Sequence, residues 1–447
     1  MKISIITAFP GLYESFLNTS LIAQAIANNQ VSFNLIRLAD LCPAKVRIDE
    51  PTAGPGPGMV IKASIIQKGI ELCENQFGKG FVIFFSPQGN LLDQPLLKKF
   101  ATKFFTPQEE LHQSKAFHII LICPRYEGVD IRAQEQFADA LISIGNYVVM
   151  GGDLPAQVFI EALLRLKPEV VGNQDSVLEE SFETAFFDYP SYGQEKIFCE
   201  KQIPEILRSG NHKAIAEWRT QAACKNTVIN RFDWFAAASP SKKERGLALQ
   251  AIPHHYAALM HTDVLIKNQG VGNTSVTSID LHDIARSAAT YGIKNVFLVT
   301  PLEDQHVIMD IFFAFWKSEV GSNYNENRAH AVTALEKTYS LEETITWITQ
   351  KEGTKPLIIA TSAKEHAHVQ AIDYKSQKEV WKHNRPVLFL FGTGQGLCDE
   401  ILAKTDFLLG PLEGMVPFNH LSVRSAAAII FDRWLGLNPK RSFTLEE

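Results

Sequence analysis

The chain has 447 residues, enough for roughly three domains that each bury a core. Hydrophobic residues make up 46% and charged residues 21%, close to ordinary globular usage, and no apolar run is long enough to span a bilayer. The formal net charge of −6 does not mark a nucleic-acid-binding protein, nor does it exclude one, because phosphate contacts need only a local basic patch.

The first residues, "MKISIITAFPGLYESF", read as a strand and then a helix, not as a secretion signal. Six cysteines (Cys42, Cys73, Cys123, Cys199, Cys224 and Cys398) lie far apart with no CxxC pair. That pattern argues against a zinc site and for a reducing cytoplasm. Short apolar runs predict strands at Ile3–Ala8, Phe81–Phe85, Ile119–Cys123 and Tyr147–Met150. Between about residue 174 and residue 235 no parallel-strand run stands out, and the segment reads as a small helical domain. "AASPSKKERG" (Ala237–Gly246) then reads as a linker. Further strands are predicted at Val296–Thr300, Leu357–Thr361, Val387–Phe391 and Phe407–Leu409. Alternation of such runs with helical patterns is the mark of α/β architecture with a mainly parallel sheet.

The two halves echo one another. "FFSPQG", "LICPRYEG" and "SIGNYVVMGGDLPA" recur in kind and order as "IIATSA", "FLFGTGQG" and "FLLGPLEGMVPFNHLSVRSAA". Such an echo makes a duplicated fold worth testing. Within the second half, "LFLFGTGQGLCDE" (Leu388–Glu400) has the look of a phosphate loop. A dinucleotide fingerprint fails, because its third glycine would fall on Leu397, and no Gly-Lys-Ser/Thr follows for a Walker loop. What remains is either a tight turn or a loop whose missing side chains let a ligand lie against backbone.

"SPQG" (Ser86–Gly89), "RYEGVD" (Arg125–Asp130), "SIGNYVV" (Ser143–Val149), "GGDLPA" (Gly151–Ala156) and "SGNH…WR" (Ser209–His212, Trp218–Arg219), taken together, resemble the bacterial tRNA (guanine-N1)-methyltransferases of the trefoil-knot (SPOUT) class. Residues from about 250 onward resemble a second knot-type domain, of a family described as S-adenosylmethionine-dependent RNA methyltransferase. The stretches that carry this are "TSIDLHDIARSAATYGI" (Thr277–Ile293), "TSAK" (Thr361–Lys364), "LFGTGQGL" (Leu390–Leu397) and "FNHLSVRSAAAII" (Phe418–Ile430).

The resemblance implies two trefoil-knotted, parallel-sheet α/β domains, residues 1–170 and 251–447, separated by a helical tRNA-binding domain, 171–236, and a linker, 237–250. It implies S-adenosylmethionine as cofactor, tRNA as partner and an obligate homodimer. It associates magnesium with the guanine-N1 reaction, although no ligand set for a metal is recognisable. The cofactor residues it implies in the first half are Phe84, Ser86, Pro87, Gln88, Gly89, Pro124, Arg125, Tyr126, Ser143, Ile144, Gly145, Asn146, Tyr147, Val148, Val149, Gly151, Gly152 and Pro155. In the second half they are Thr361, Ser362, Ala363, Gly392, Gly394, Gly396, Leu409, Gly410, Pro411, Leu421 and Ser422.

Methylating guanine N1 requires removal of a weakly acidic proton and stabilisation of charge developing on O6. The family's arginine and acid for these roles match Arg165 and Glu180 here, with glutamate in place of the family's aspartate. Asp175 and Glu179 are nearby fallbacks, and Glu127 is a candidate for binding the base or cofactor. Other departures are Pro124 where the family has glycine, "TAGPGPGM" (Thr52–Met59) for a glycine-richer segment, Asn146 for aspartate and Ser191 for histidine. In the second half His282 and Arg286 lie one turn apart, Asn419 is a candidate helix cap, and no catalytic carboxylate stands out. RNA contacts are expected from Arg208, His212 and Arg219, with Lys242 and Lys243. Two readings stay open: methyl transfer in both halves, or one catalytic half with the other as a dimerisation or RNA-docking module.

Overall fold

A computed structural model describes residues 1–54, 58–106, 117–171, 180–267, 270–366 and 368–438. The chain divides into two compact units, Met1–Glu179 and Glu180–Glu447. Asp175, Glu179 and the Pro55–Pro57 part of the glycine-rich segment lie outside the described residues.

The first unit is built on β1 (Lys2–Thr7), β2 (Ser32–Arg37), α1 (Ala63–Phe77), β3 (Phe81–Leu91), α2 (Gln94–Phe105), β4 (His118–Ile122), β5 (Ala140–Ser143) and α3 (Asp153–Arg165). Its five strands are parallel, in the order β2-β1-β4-β3-β5. Alternate side chains leave opposite faces of the strands, so two cores form. Ile3, Ile5, Ile83, Phe85, Ile119 and Leu121 enter one, with Phe159, Ile160 and Leu163 of α3. Ile6, Val82, Phe84, Ile120 and Ile122 enter the other, with Ile66 and Ile70 of α1.

The second unit opens with a short antiparallel pair (Ile197–Phe198 with Lys201–Gln202), then α4 (His212–Asn230), the short helix Phe232–Ala237 and α5 (Lys242–Ala251). There follow β6 (His255–Met260), α6 (Ser278–Tyr291), β7 (Val296–Val299), α7 (Glu303–Trp316), β8 (Leu335–Thr338), α8 (Leu341–Glu352), β9 (Leu357–Thr361), β10 (Ala371–Ile372), the short helix Gln377–Trp381, β11 (Val387–Gly392), β12 (Phe407–Leu409) and α9 (Val423–Leu435). The seven strands are parallel in the order β8-β7-β6-β11-β9-β12-β10. Setting aside β8 and β10 at the edges, each sheet runs second, first, fourth, third, fifth. The echo read in the sequence is therefore an echo of topology.

Three expectations change. The apolar run Tyr147–Met150 is a loop and not a strand; β5 has already ended at Ser143, and Val148 and Met150 are 85% and 91% exposed. The expected linker carries helix α5, begun by a capping box in which Ser241 and Glu244 bond each other's backbone amides. The helical segment also shares a core with the second sheet: Phe186, Cys224, Val228 and Phe235 belong to the same buried cluster as Leu259, Phe389 and Trp434.

One polar group sits inside that core. His255, at the start of the inner strand β6, accepts hydrogen bonds at Nε2 from both Trp381 Nε1 and Trp434 Nε1, each 3.1 Å away. It thereby joins the short helix Gln377–Trp381 and α9 to β6. Burial pushes the imidazole down to about 3, outweighing the raising influence of the Pro253 backbone. The folded state thus holds a neutral ring, whereas the unfolded chain takes a proton near 6.5, so stability is full above pH 6.5 and is lost as the pH falls toward 3. His255→Phe keeps a ring but leaves two buried indole N–H groups unmet, at about 1–3 kcal/mol each. The urea midpoint of the second unit should fall at pH 7, and its drop between pH 7 and 5 should shrink; a wild-type midpoint in the variant would refute the role given to His255.

Candidate functional site

In each unit the third, fourth and fifth strands are neighbours in the sheet, and the expected cofactor loops leave their carboxyl ends. In open α/β sheets that edge is where ligands bind.

In the first unit the pairing of β3 with β5 shifts between Phe85 and Asn90, so Ser86–Gly89 are extruded from the ladder. Gly89 is required by close approach: a Cβ there would lie 2.5 Å from the Ile142 amide nitrogen. Pro87 and Gln88 are exposed, Ser86 is half-buried, and Phe84 lies beneath them in the core. The loop after β4 is held against the short pair Asp49–Pro51 and Met59–Ile61, with Glu127 N donating to Met59 O (3.0 Å) and Ile61 N to Gly128 O (3.0 Å). Pro124 has no amide to give, but its carbonyl accepts from Gly152 N at 2.7 Å and so joins this loop to the next. The third loop is shaped at its start by Ser143 Oγ, which donates to Gly145 O at 3.1 Å. Beyond it Ile144 and Val149 are half-buried, and Asn146, Tyr147 and Val148 are exposed. Pro155 is buried in the first turn of α3.

A group that the sequence reading missed ties these loops together. Asp153, 1% exposed, receives Arg125 through Nη2 (2.7 Å) and Nε (2.9 Å), and also Tyr13 Oη (3.3 Å) and the Thr7 hydroxyl. Arg125 in turn donates to Met150 O at 3.3 Å and lies 4.7 Å over the Phe9 ring. Burial, with the Cys123 thiol and Asp153 beside it, holds the Tyr13 phenol far above its ordinary range. A cavity of about 520 Å³ opens beside this pair, lined by Phe9, Leu12, Arg37 and Arg125 among others. The "GGDLPA" motif was visible in the sequence; a bidentate partner for an arginine 28 positions earlier was not.

Glu127 is exposed in the second loop, its side chain packed over Gly58. Arg165 is exposed in the last turn of α3. Glu180 is half-buried and begins the second unit, its carbonyl accepting from Glu183 N at 3.2 Å. Arg165 and Glu180 thus belong to different compact units. Arg208, His212 and Arg219 are all exposed; His212 and Arg219 lie two turns apart on α4, with Arg219 stacked 4.5 Å over Tyr189.

In the second unit the glycine loop fits tightly against the segment after β6. Gln395 N donates to Leu265 O and Leu265 N to Gly396 O, both at 2.8 Å. Gly394 has φ +62°, and a Cβ there would meet Leu265 O at 2.7 Å, so no other residue fits. Thr361 Oγ1 at the end of β9 donates to Leu390 O (2.8 Å), tying the first loop to β11. Asn419 Nδ2 donates to Ala363 O at 3.3 Å, tying the third loop to the first. The Gly410 carbonyl receives Tyr374 Oη at 3.1 Å. The cap expected at Asn419 falls instead on Ser422, which accepts from Ser425 N. Past Gly410 and Pro411 the third loop is strongly apolar and exposed at Met415, Val416 and Phe418, with Leu421 at its end.

His282 packs its ring against Phe312 and Trp316, and burial lowers its basicity; Arg286 on the same helix is exposed. Sequence reading missed Asp280, whose carboxylate accepts from the hydroxyl of the N-cap Thr277 at 2.6 Å and receives Arg424 of α9 at 3.2 Å. It also missed His261, buried at the carboxyl end of β6. Among the described residues no group of three or more His, Cys, Asp or Glu could hold a metal ion, and no helix is long and apolar enough to cross a membrane.

Residues 1–237 match the family described as tRNA (Guanine-1)-methyltransferase TrmD, and residues 254–436 match the family described as SAM-dependent RNA methyltransferase. The chain is similar along nearly its whole length to the tRNA (guanine-N(1)-)-methyltransferase of Nitratidesulfovibrio vulgaris, at 34% identity over 98% of this chain and 99% of that one. It is likewise similar to the protein of the same name from Oleidesulfovibrio alaskensis, at 32% identity over the same shares. The Thermosipho africanus protein of that name matches 53% of this chain and 90% of itself at 37% identity. Among solved structures, the tRNA (m1G37) methyltransferase from Aquifex aeolicus aligns with 52% of this chain and 94% of its own at 29% identity and a TM-score of 0.42. The chain therefore belongs to the tRNA (guanine-N1)-methyltransferase family, and it carries a S-adenosylmethionine-dependent RNA methyltransferase domain in addition.

Proposed function

We propose that the chain transfers a methyl group from S-adenosylmethionine to N1 of the guanine 3′ of the tRNA anticodon, position 37, and that the second unit methylates RNA at a site of its own. The observation that carries this reading is that both sheets place three loops, with glycines packed against neighbouring backbone, at the carboxyl ends of adjacent strands. The bound cofactor supplies an electrophilic sulfonium methyl, and the rest of the chemistry falls to side chains. In the first unit Ser86–Gly89, Pro124–Tyr126 and Ser143–Gly152 would wall the cofactor, with Arg125 fixed by Asp153. The Glu180 carboxylate is proposed to take the N1 proton, Arg165 to hold charge developing on O6, and Glu127 to engage the base. In the second unit Thr361–Ala363, Gly392–Gly396, Leu409–Pro411 and Leu421–Ser422 form the corresponding walls.

The reading includes a trefoil knot in each sheet, a homodimer and a cytoplasmic setting. The hydrogen bond from Asn419 to Ala363 supports the knot-like return of the third loop beside the first. The exposed apolar runs Tyr147–Met150 and Met415–Phe418 support burial against a second subunit. The domain division proposed is a first transferase domain over 1–170, a helical tRNA-binding segment after it and a second transferase domain from 251. Magnesium is proposed only as an aid to the guanine-N1 transfer. The described residues do not fit a protein-held ion, and no step is derived through one.

Calorimetric titration of the full chain with S-adenosylmethionine should find two sites per chain. A single site would favour the reading in which one half only docks RNA or dimerises, and none would sink both. Glu180→Ala should slow formation of 1-methylguanine in unmodified tRNA by about a hundredfold or more, the range of a lost general base. A wild-type rate in that variant would show that another group removes the proton. Arg219→Ala should weaken tRNA binding and reduce the slope of log affinity against log salt by about one phosphate contact. An unchanged slope would place the RNA elsewhere.

A further inference from the structure

His261 follows the last residue of β6 and is 1% exposed. Its Nδ1 lies 2.9 Å from Thr274 Oγ1, and Thr274 Oγ1 lies 2.5 Å from Thr393 Oγ1. Thr393 is the residue between Gly392 and Gly394, and its hydroxyl donates to Met260 O at 2.7 Å. The proton directions along this chain follow from its far end. A carbonyl can only accept, so the single Thr393 proton goes to Met260 O. Thr393 Oγ1 must then accept from the Thr274 hydroxyl, whose proton is thereby used. Thr274 Oγ1 is left to accept from His261, which fixes an N–H at Nδ1. Burial pushes the imidazole down to about 4, so the ring is neutral and carries that one proton. Its Nε2 is a bare, buried acceptor without a hydrogen-bond partner.

An unmet buried nitrogen is costly, and a leucine or phenylalanine would avoid the cost. What the histidine provides in return is a donor at Nδ1, aimed along two threonine hydroxyls into the glycine loop. We infer that His261 is a positioning residue of the second S-adenosylmethionine site, holding Thr393 and through it the conformation of Gly392–Gly396. The inference rests on the proposed reading of that loop as a cofactor wall. The segment that carries Thr274 also bears on the loop directly, since a Cβ at Gly394 would come within 3.5 Å of Thr274 Cγ2. Loss of the Nδ1 donor frees the Thr274 hydroxyl to turn away, and Thr393 then lacks the donor that orients it.

The two amide side chains separate this role from simple filling of space. Asparagine places its N–H₂ near the position of Nδ1, whereas glutamine places it near Nε2. In the full chain, photo-cross-linking of labelled S-adenosylmethionine followed by peptide mapping reads the two units separately, with the first as an internal control. Half-maximal labelling of second-unit peptides should require about fivefold more S-adenosylmethionine in His261→Gln and Thr274→Val, the scale of one lost hydrogen bond. His261→Asn should stay within about twofold of wild type on the same argument. Wild-type labelling in His261→Gln and Thr274→Val, or equal loss in the Asn and Gln variants, overturns the positioning role. Absence of second-unit labelling in the wild type overturns the cofactor reading itself. Nitrogen-15 spectra of histidine-labelled wild type give a test that no variant's folding affects: two neutral rings protonated at Nδ1 well below pH 6 are expected, His261 and His255 with its two indole donors, and only one such ring, that of His255, overturns the inferred chain.

Discussion

In a parallel sheet every strand points the same way, so the loops leaving neighbouring strands emerge together at one edge. Both units depend on this constraint. Their third, fourth and fifth strands are adjacent, and three loops distant in sequence therefore meet without any loop having to travel far. The sheet supplies the rigidity, and glycines allow backbone to approach backbone where Gly89 meets Ile142 and Gly394 meets Leu265. A site assembled this way is pre-shaped, because the loops bond one another as well as the strands: Gly152 to Pro124 in one unit, Asn419 to Ala363 in the other.

The two units reach this arrangement with different buried chemistry. In the first, one carboxylate, Asp153, gathers Arg125, Tyr13 and Thr7, and the arginine carries the order outward to the loop after β5. Such a pair is stable because each remaining lone pair of the acid meets a donor. In the second, neutral groups replace it: an imidazole and two hydroxyls link β6 to the glycine loop. The first unit therefore secures its loops by charge and the second by proton direction, and only the charged version requires an arginine in a loop.

The sequence carried the strands whose residues are almost all apolar, such as Leu357–Thr361 and Phe407–Leu409, because burial on both faces of a parallel sheet leaves that signature. It concealed His255–Met260, an inner strand of the second sheet, since alanine, leucine and methionine favour helices and only the neighbours make this a strand. Leu335–Thr338 was hidden for another reason, being an edge strand with Glu336 and Lys337 half-exposed. Tyr147–Met150 misled in the opposite sense, its apolar side chains being exposed in a loop. The linker reading overlooked a Ser-x-x-Glu capping box that was present in the letters. For the site, loop glycines were legible because they are local. Asp153 with Arg125, and His261 with Thr393, were not, because each pair is joined only by the fold.

The bridge from His255 to two indoles has a bearing on how the chain assembles during synthesis. His255 and Trp381 are separated by 126 positions, and His255 and Trp434 by 179. A ribosome makes β6 long before the helix that completes its core, so the second unit waits with an apolar strand and the faces of Phe186, Val228 and Phe235 uncovered. The first unit, compact within Met1–Glu179, can fold in that interval. The half that waits is the one exposed to chaperones and to mispairing, and its last stitch is a tryptophan side chain.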